Sequence, residues 1–129
     1  MRVENYFDWV RKAVEESPIV HLSNVTYEKR GTYEGIIRGR VSFVDGTVLE
    51  WREYVDVEKK VDRLMYVYQY MDPSLKLIFR YDNTGHHKKL GLPTYPDHKH
   101  IGIADRVVPS DPADLPNVLQ EIESMVKLP

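Results

Sequence analysis

From Ile19 to Asp82 the apolar residues recur at about every second position, and short clusters of turn-forming residues separate the runs. A period of two sends alternate side chains to opposite faces of a strand, so about half of the chain is committed to a sheet. The first strand is expected over Ile19–Arg30, bulged around Asn24 where the alternation falters, and closed by a turn at Gly31. The second is expected over Tyr33–Val44. Tyr33, Ile37, Val41 and Phe43 share one of its faces with Gly35 and Gly39, and Glu34, Arg38, Arg40 and Ser42 share the other. Asp45-Gly46 between two such runs is a strong hairpin signal.

Thr47–Val57 follows as a third strand with Leu49, Trp51, Glu53, Val55 and Val57 on one face. A carboxylate in an apolar row must be paired, protonated or functional, because burying it alone is costly. Arg63–Met71 is expected to place Leu64, Tyr66, Tyr68 and Tyr70 together. After an Asp72-Pro73-Ser74 turn, Leu75–Asp82 sets Leu75, Leu77, Phe79 and Tyr81 against Lys76, Ile78, Arg80 and Asp82. Arg80 and Asp82 are thus neighbours on one face. His98–Ile103 is expected as a short further strand with His98 and His100 on one side and Lys99 and Ile101 on the other.

Both ends of the chain switch to a helical period. Val3, Tyr6, Phe7, Val10 and Val14 form one stripe, ended by Ser17-Pro18 because the residue before a proline disfavours helical geometry. Trp9 flanks that stripe. Leu115, Val118, Leu119, Ile122, Met125 and Val126 form a second stripe, with Asp114 as N-cap and Pro116 in the first turn. The expected fold is α+β and a single domain over residues 1–129. An N-terminal helix, a five- to six-stranded antiparallel meander and a C-terminal helix follow in order, with the helices on one face of a curved sheet and a polar face left open.

At 42% hydrophobic and 29% charged residues the chain has the balance of a globular protein rather than a disordered one. No cysteine is present, which excludes disulfides and thiolate metal sites. No apolar run approaches the roughly 20 residues of a membrane span, and the first residues lack a signal-peptide core, so a cytoplasmic location is expected. A net charge of −2 conceals a polarity. Residues 76–106 hold six Lys/Arg against three Asp, whereas residues 45–62 hold six acids against three bases. The first of these segments carries four of the five histidines, His86, His87, His98 and His100. His21, alone in the first strand, is expected to be an ordinary strand residue.

Imidazole exchanges protons near neutrality and is also the commonest metal ligand. A histidine pair could serve as base for a ribose 2′-hydroxyl and acid for the leaving oxygen in RNA cleavage. Arg80 or Lys99 would stabilise charge on the phosphate, Glu53 or Asp82 would orient a ring, and the tyrosines would offer stacking surfaces. Alternatively His98 and His100, with His86 or His87 and Asp82, could hold zinc or another divalent metal. A third reading is a hydrogen-bonded loop closure, and residue chemistry alone leaves all three open.

Glu53-Tyr-Val-Asp56, Tyr66-Val-Tyr68-Gln-Tyr70, Arg80-Tyr-Asp-Asn83, His86-His87 and Pro96-Asp-His98-Lys-His100 resemble the TumE family, formerly a domain of unknown function. The resemblance spans most of residues 45–126. Gly85 stands where that family usually has proline, and Asp97 where it usually has histidine. The resemblance implies the toxin-like component of a two-gene toxin–antitoxin module, with a small helix-turn-helix antitoxin as partner. The helix-plus-meander outline also resembles the fold of RelE- and BrnT-like ribonuclease toxins, an analogy of fold alone. The expected activity is RNA cleavage, with RNA as substrate and no obligatory cofactor. The alternative is a non-enzymatic partner-binding module, or a metal-binding one using His86, His87, His98 and His100. His98, His100, Arg80, His87, Glu53 and Asp82 are the expected catalytic set. Tyr68, Asn83, Lys99 and His86 are the expected substrate contacts, and the sequence leaves homo-oligomerisation open.

Overall fold

The computed structural model describes residues 1–83, 95–102 and 106–126. Helix α1 (Val3–Glu16) leads into β1 (Val20–Lys29), β2 (Glu34–Phe43), β3 (Val48–Asp56), β4 (Asp62–Met71), β5 (Leu77–Asp82), β6 (His98–Ile101) and β7 (Arg106–Pro109), and α2 (Leu115–Met125) closes the chain. The strands form one antiparallel sheet in sequence order. The expected α+β class and helix placement hold. Among the described residues the strand count is seven rather than five or six, because Arg106–Pro109 pairs as a strand whose run is too brief to show a period.

Both helices bury their predicted stripes against one face of the sheet. Asp114 caps α2 by accepting the Asn117 amide at 2.9 Å, satisfying one of the free donors of the first turn. Met125, expected in the stripe, is exposed instead, and the last buried position is Val126. The core joins Val3, Tyr6, Phe7 and Val10 of α1 and Leu115, Val118 and Ile122 of α2 to Ile37, Val41, Leu49, Trp51, Val55, Tyr66, Tyr68, Tyr70 and Phe79 of the sheet. Gly39 is required there: a β-carbon on it would sit 2.3 Å from the Trp51 ring. Gly35 makes the same allowance for Phe7 at 2.4 Å.

Irregularities in the sheet re-aim side chains. The register of β1 shifts between Val20 and Leu22, not around Asn24, and His21 is exposed there. A second shift lies between β3 and β4, where Tyr54 pairs with Met65 but Val55 pairs with Arg63. Leu64 has no partner in that ladder and is exposed rather than aligned with the tyrosines. The extra residue turns Arg63 onto the helix-covered face, which strict alternation would have denied it. Asn83 repairs the backbone beside the bulge: its Oδ1 accepts from the Tyr66 amide at 2.9 Å and its Nδ2 donates to the Arg63 carbonyl at 3.2 Å.

Replacing Gly39 with Ala should destabilise the fold by about 1–3 kcal/mol, since the indole has no room to retreat in a filled core. Chemical denaturation of the variant checks this, and an unchanged midpoint would show that Trp51 repacks freely.

Candidate functional site

Ladder register decides which polar side chains meet. On the face turned away from the helices, Asp82 of β5 pairs with His98 of β6, and Arg80 pairs with His100. Four groups therefore converge where β5 meets β6. His98 Nε2 lies 2.7 Å from Asp82 Oδ1, and His100 Nε2 lies 3.4 Å from Oδ2. Arg80 donates from Nε to the same Oδ2 at 3.0 Å. The two imidazoles meet nearly edge to face with centroids 4.9 Å apart. Asp82, His98 and His100 are buried, while Arg80 keeps about a third of its side chain exposed, at 37%.

The tautomer of His98 follows from its other nitrogen. Nδ1 is 2.8 Å from the Pro96 carbonyl oxygen, which can only accept, so Nδ1 carries a hydrogen. A neutral ring would then turn a lone pair toward the Asp82 carboxylate. A cation shared between Nε2 and Oδ1 would suit that arrangement. The ligand atoms of Asp82, His98 and His100 lie within 4.8 Å of one another, close enough to share one ion. A metal-bound histidine commonly donates its remaining N–H to a carbonyl in this way.

The other expected site residues are elsewhere. Glu53 is fully buried on the helix-covered face, with its Oε1 accepting from the Tyr6 hydroxyl at 2.5 Å. Arg63, brought over by the bulge, approaches the Tyr68 hydroxyl at 3.5 Å and stacks over the Tyr66 ring at 4.7 Å. The sheet thus separates Glu53 and Tyr68 from the histidines. Tyr66, Tyr68 and Tyr70 are buried under the helices and offer no surface for base stacking. Lys99 also points to the helix side, bonding Glu121 of α2 at 2.9 Å and lying over the Phe79 and Tyr81 rings. Asn83 is occupied by its backbone repair. Asp97, which departs from the family pattern, accepts from the Tyr66 hydroxyl at 2.6 Å. His86 and His87 lie outside the described residues.

A groove of about 430 Å³ crosses the same open face, lined by Asn24, Thr26, Arg38, Arg40, Arg52 and Gln69 and reaching Arg80. Alternation had set Arg38 and Arg40 on a polar face. Their alignment with Arg80 needs the register of four strands, which no single-strand pattern contains.

Across residues 10–127 the sequence matches the family model described as Toxin TumE. The chain belongs to the TumE toxin family. That membership makes it a toxin by family and implies an antitoxin partner. No curated protein and no solved structure matches it. Among the described residues no helix is long and apolar enough to cross a membrane.

Burial raises the Glu53 carboxyl above its ordinary range, opposed in part by the Tyr6 hydroxyl and the Arg63 charge. A folded-state value above the unfolded one contributes stability at pH below the unfolded value, near 4.5, and loses it as pH rises through the folded value. Glu53→Gln cannot lose it. The variant should therefore gain on the native TumE chain as pH rises from below 4.5 to neutrality. Urea denaturation at the two ends of that range measures the difference, and a constant difference would show that the Glu53 carboxyl is not raised.

Proposed function

We propose that this protein is an RNA-cleaving toxin in which His98 and His100 form the acid–base pair, Arg80 stabilises the phosphate, and Asp82 aligns all three. The observation that carries this reading is the sharing of one buried carboxylate by two imidazoles and a guanidinium. Transfer of a 2′-hydroxyl onto its own phosphate needs a base, an acid on the far side, and charge to offset the phosphorane oxygens. This reading assigns those roles to the two imidazoles, whose centroids are 4.9 Å apart, and to the partly exposed arginine beside them. A phosphate arriving from the open face meets Arg80 first and His100 next, with His98 deeper in the site. The natural partner in this reading is a small helix-turn-helix antitoxin, the substrate is cellular RNA, and the setting is the cytoplasm.

A metal-dependent variant of the same chemistry is favoured by one specific feature. His98 donates Nδ1–H to Pro96 and turns Nε2 toward Asp82 and His100, as a ligand would. Asp82, His98 and His100 would then hold a divalent cation, which would supply Lewis-acid polarisation of the phosphate beside Arg80.

His100→Ala and His98→Ala should each lower RNA cleavage by about 10²–10⁴-fold, and Arg80→Ala by about 10²–10³-fold. All three should relieve growth arrest on expression without the antitoxin. Unchanged cleavage and toxicity in His100→Ala and Arg80→Ala would remove this assignment. Treatment with a chelator separates the two chemistries: full activity afterwards selects histidine acid–base catalysis, and activity lost and then restored by one divalent ion selects the metal site.

A further inference from the structure

The ladder pairings of six strands place the open-face polar residues in two straight rows. One runs Thr26, Arg38, Arg52, Val67, Asp82, His98, each residue directly paired with the next. The other runs Asn24, Arg40, Glu50, Gln69, Arg80, His100. Because the pairing crosses the strands, both rows run perpendicular to them, from the histidines at β6 to the outer strand β1. With strands about 4.8 Å apart, five steps make a track of roughly 24 Å. The groove follows its outer part, and Arg80 joins the groove to the histidine site.

Two of the four arginines along this track are paired with carboxylates, Arg40 with Glu50 and Arg80 with Asp82. Arg38 and Arg52 are directly opposite each other on β2 and β3, both exposed, and neither forms an ion pair among the described residues. Like charges directly opposed across a ladder destabilise a sheet. An opposed arginine pair in a concave polar trough gains only when an anion lies between the two guanidiniums, which match phosphate oxygens in a forked geometry. Asn24, Thr26 and Gln69 add neutral hydrogen-bonding groups that suit sugar and phosphate oxygens. Among the described residues no aromatic side chain with an exposed face lines the groove, which favours recognition of backbone over bases.

We propose that these rows are the track for a single-stranded RNA, laid perpendicular to the sheet strands. Its phosphates sit on Arg38 and Arg52, and the strand continues over Gln69 and Arg80 to the histidines. The proposal rests on the RNA-cleavage reading for what happens at the histidine end, but strand binding itself does not require cleavage. Selectivity for sequence is expected to be slight along the groove, since arginine–phosphate contacts carry none.

The test uses the full chain and a fluorescein-labelled, 2′-O-methylated RNA of about twelve nucleotides, a length within the usual range for one single-strand binding surface. Fluorescence anisotropy is followed at stepped KCl concentrations. Each arginine–phosphate contact on a single strand contributes about 0.7 to the slope of log affinity against log salt. The double variant Arg38→Gln with Arg52→Gln should bind at least tenfold more weakly and lose about 1.4 from that slope. Its melting temperature without RNA should equal or exceed the native value, because an unfavourable charge pair has gone. Lys12→Gln with Lys59→Gln removes the same charge from α1 and the β3–β4 turn, and should leave the slope unchanged.

Equal losses in the control pair, or an unchanged slope in the arginine pair, would overturn the track. Tighter binding to phosphatidylserine vesicles than to the RNA would overturn RNA as its occupant. Arginine-dependent RNA binding by a native protein that cleaves no RNA would uphold the track and remove the nuclease reading. RNA cleavage with a binding slope indifferent to Arg38 and Arg52 would do the reverse.

Discussion

The carboxylate of Asp82 is the point on which the open face of this sheet depends. It is buried, and a buried carboxylate without compensation would cost several kcal/mol. Three side chains from two strands surround it: Arg80, its neighbour two positions back on β5, donates to it, and His98 and His100 approach it across the ladder from β6. Neither imidazole contact survives a one-residue slip of β6, because a slip would carry both rings to the helix side. Register and charge satisfaction therefore enforce each other. Pro96 adds a second constraint by holding His98 through its other nitrogen.

The sheet divides the polar residues of the chain into two separate systems. Under the helices, Glu53, Tyr6, Tyr68 and Arg63 form a buried network that ties α1 to the centre of the sheet. Lys99 and Tyr81 do the same for α2 through Glu121. These groups have partners within the core and hold the scaffold in one arrangement. On the other face, Arg38, Arg52 and Arg80 border a groove and retain charge available to a ligand.

Strand alternation made much of this arrangement legible. The stripe of α1, the cap of α2, the glycines beneath Phe7 and Trp51, and the shared face of Arg80 and Asp82 all follow from local period. So does the pairing of His98 with His100 on one face. Long-range register was not legible, and it decides the site. Glu53 and the tyrosines lie on the same face as the core, a fact implicit in their alternation with Leu49 and Trp51. Placing them beside the histidines required two faces to be one. Arg63 was hidden for a different reason: the bulge at Leu64 reverses its side, and the backbone repair by Asn83 that accompanies it involves residues about 20 apart. The alignment of Arg38 and Arg40 with Arg80 needed three successive ladders before it existed at all.

The central claim is that a nucleic-acid strand engages the open face through the row that begins at His98 and His100. Side-chain NMR of protein carrying ¹⁵N-labelled arginine and histidine, titrated with a 2′-O-methylated RNA, addresses it most directly. The account predicts that resonances of His98, His100, Arg80, Arg52 and Arg38 shift together with one affinity, while those of Arg63 and Arg11 on the helix side stay in place. Shifts concentrated on Arg63 and Arg11, with the open-face signals unmoved, would contradict it.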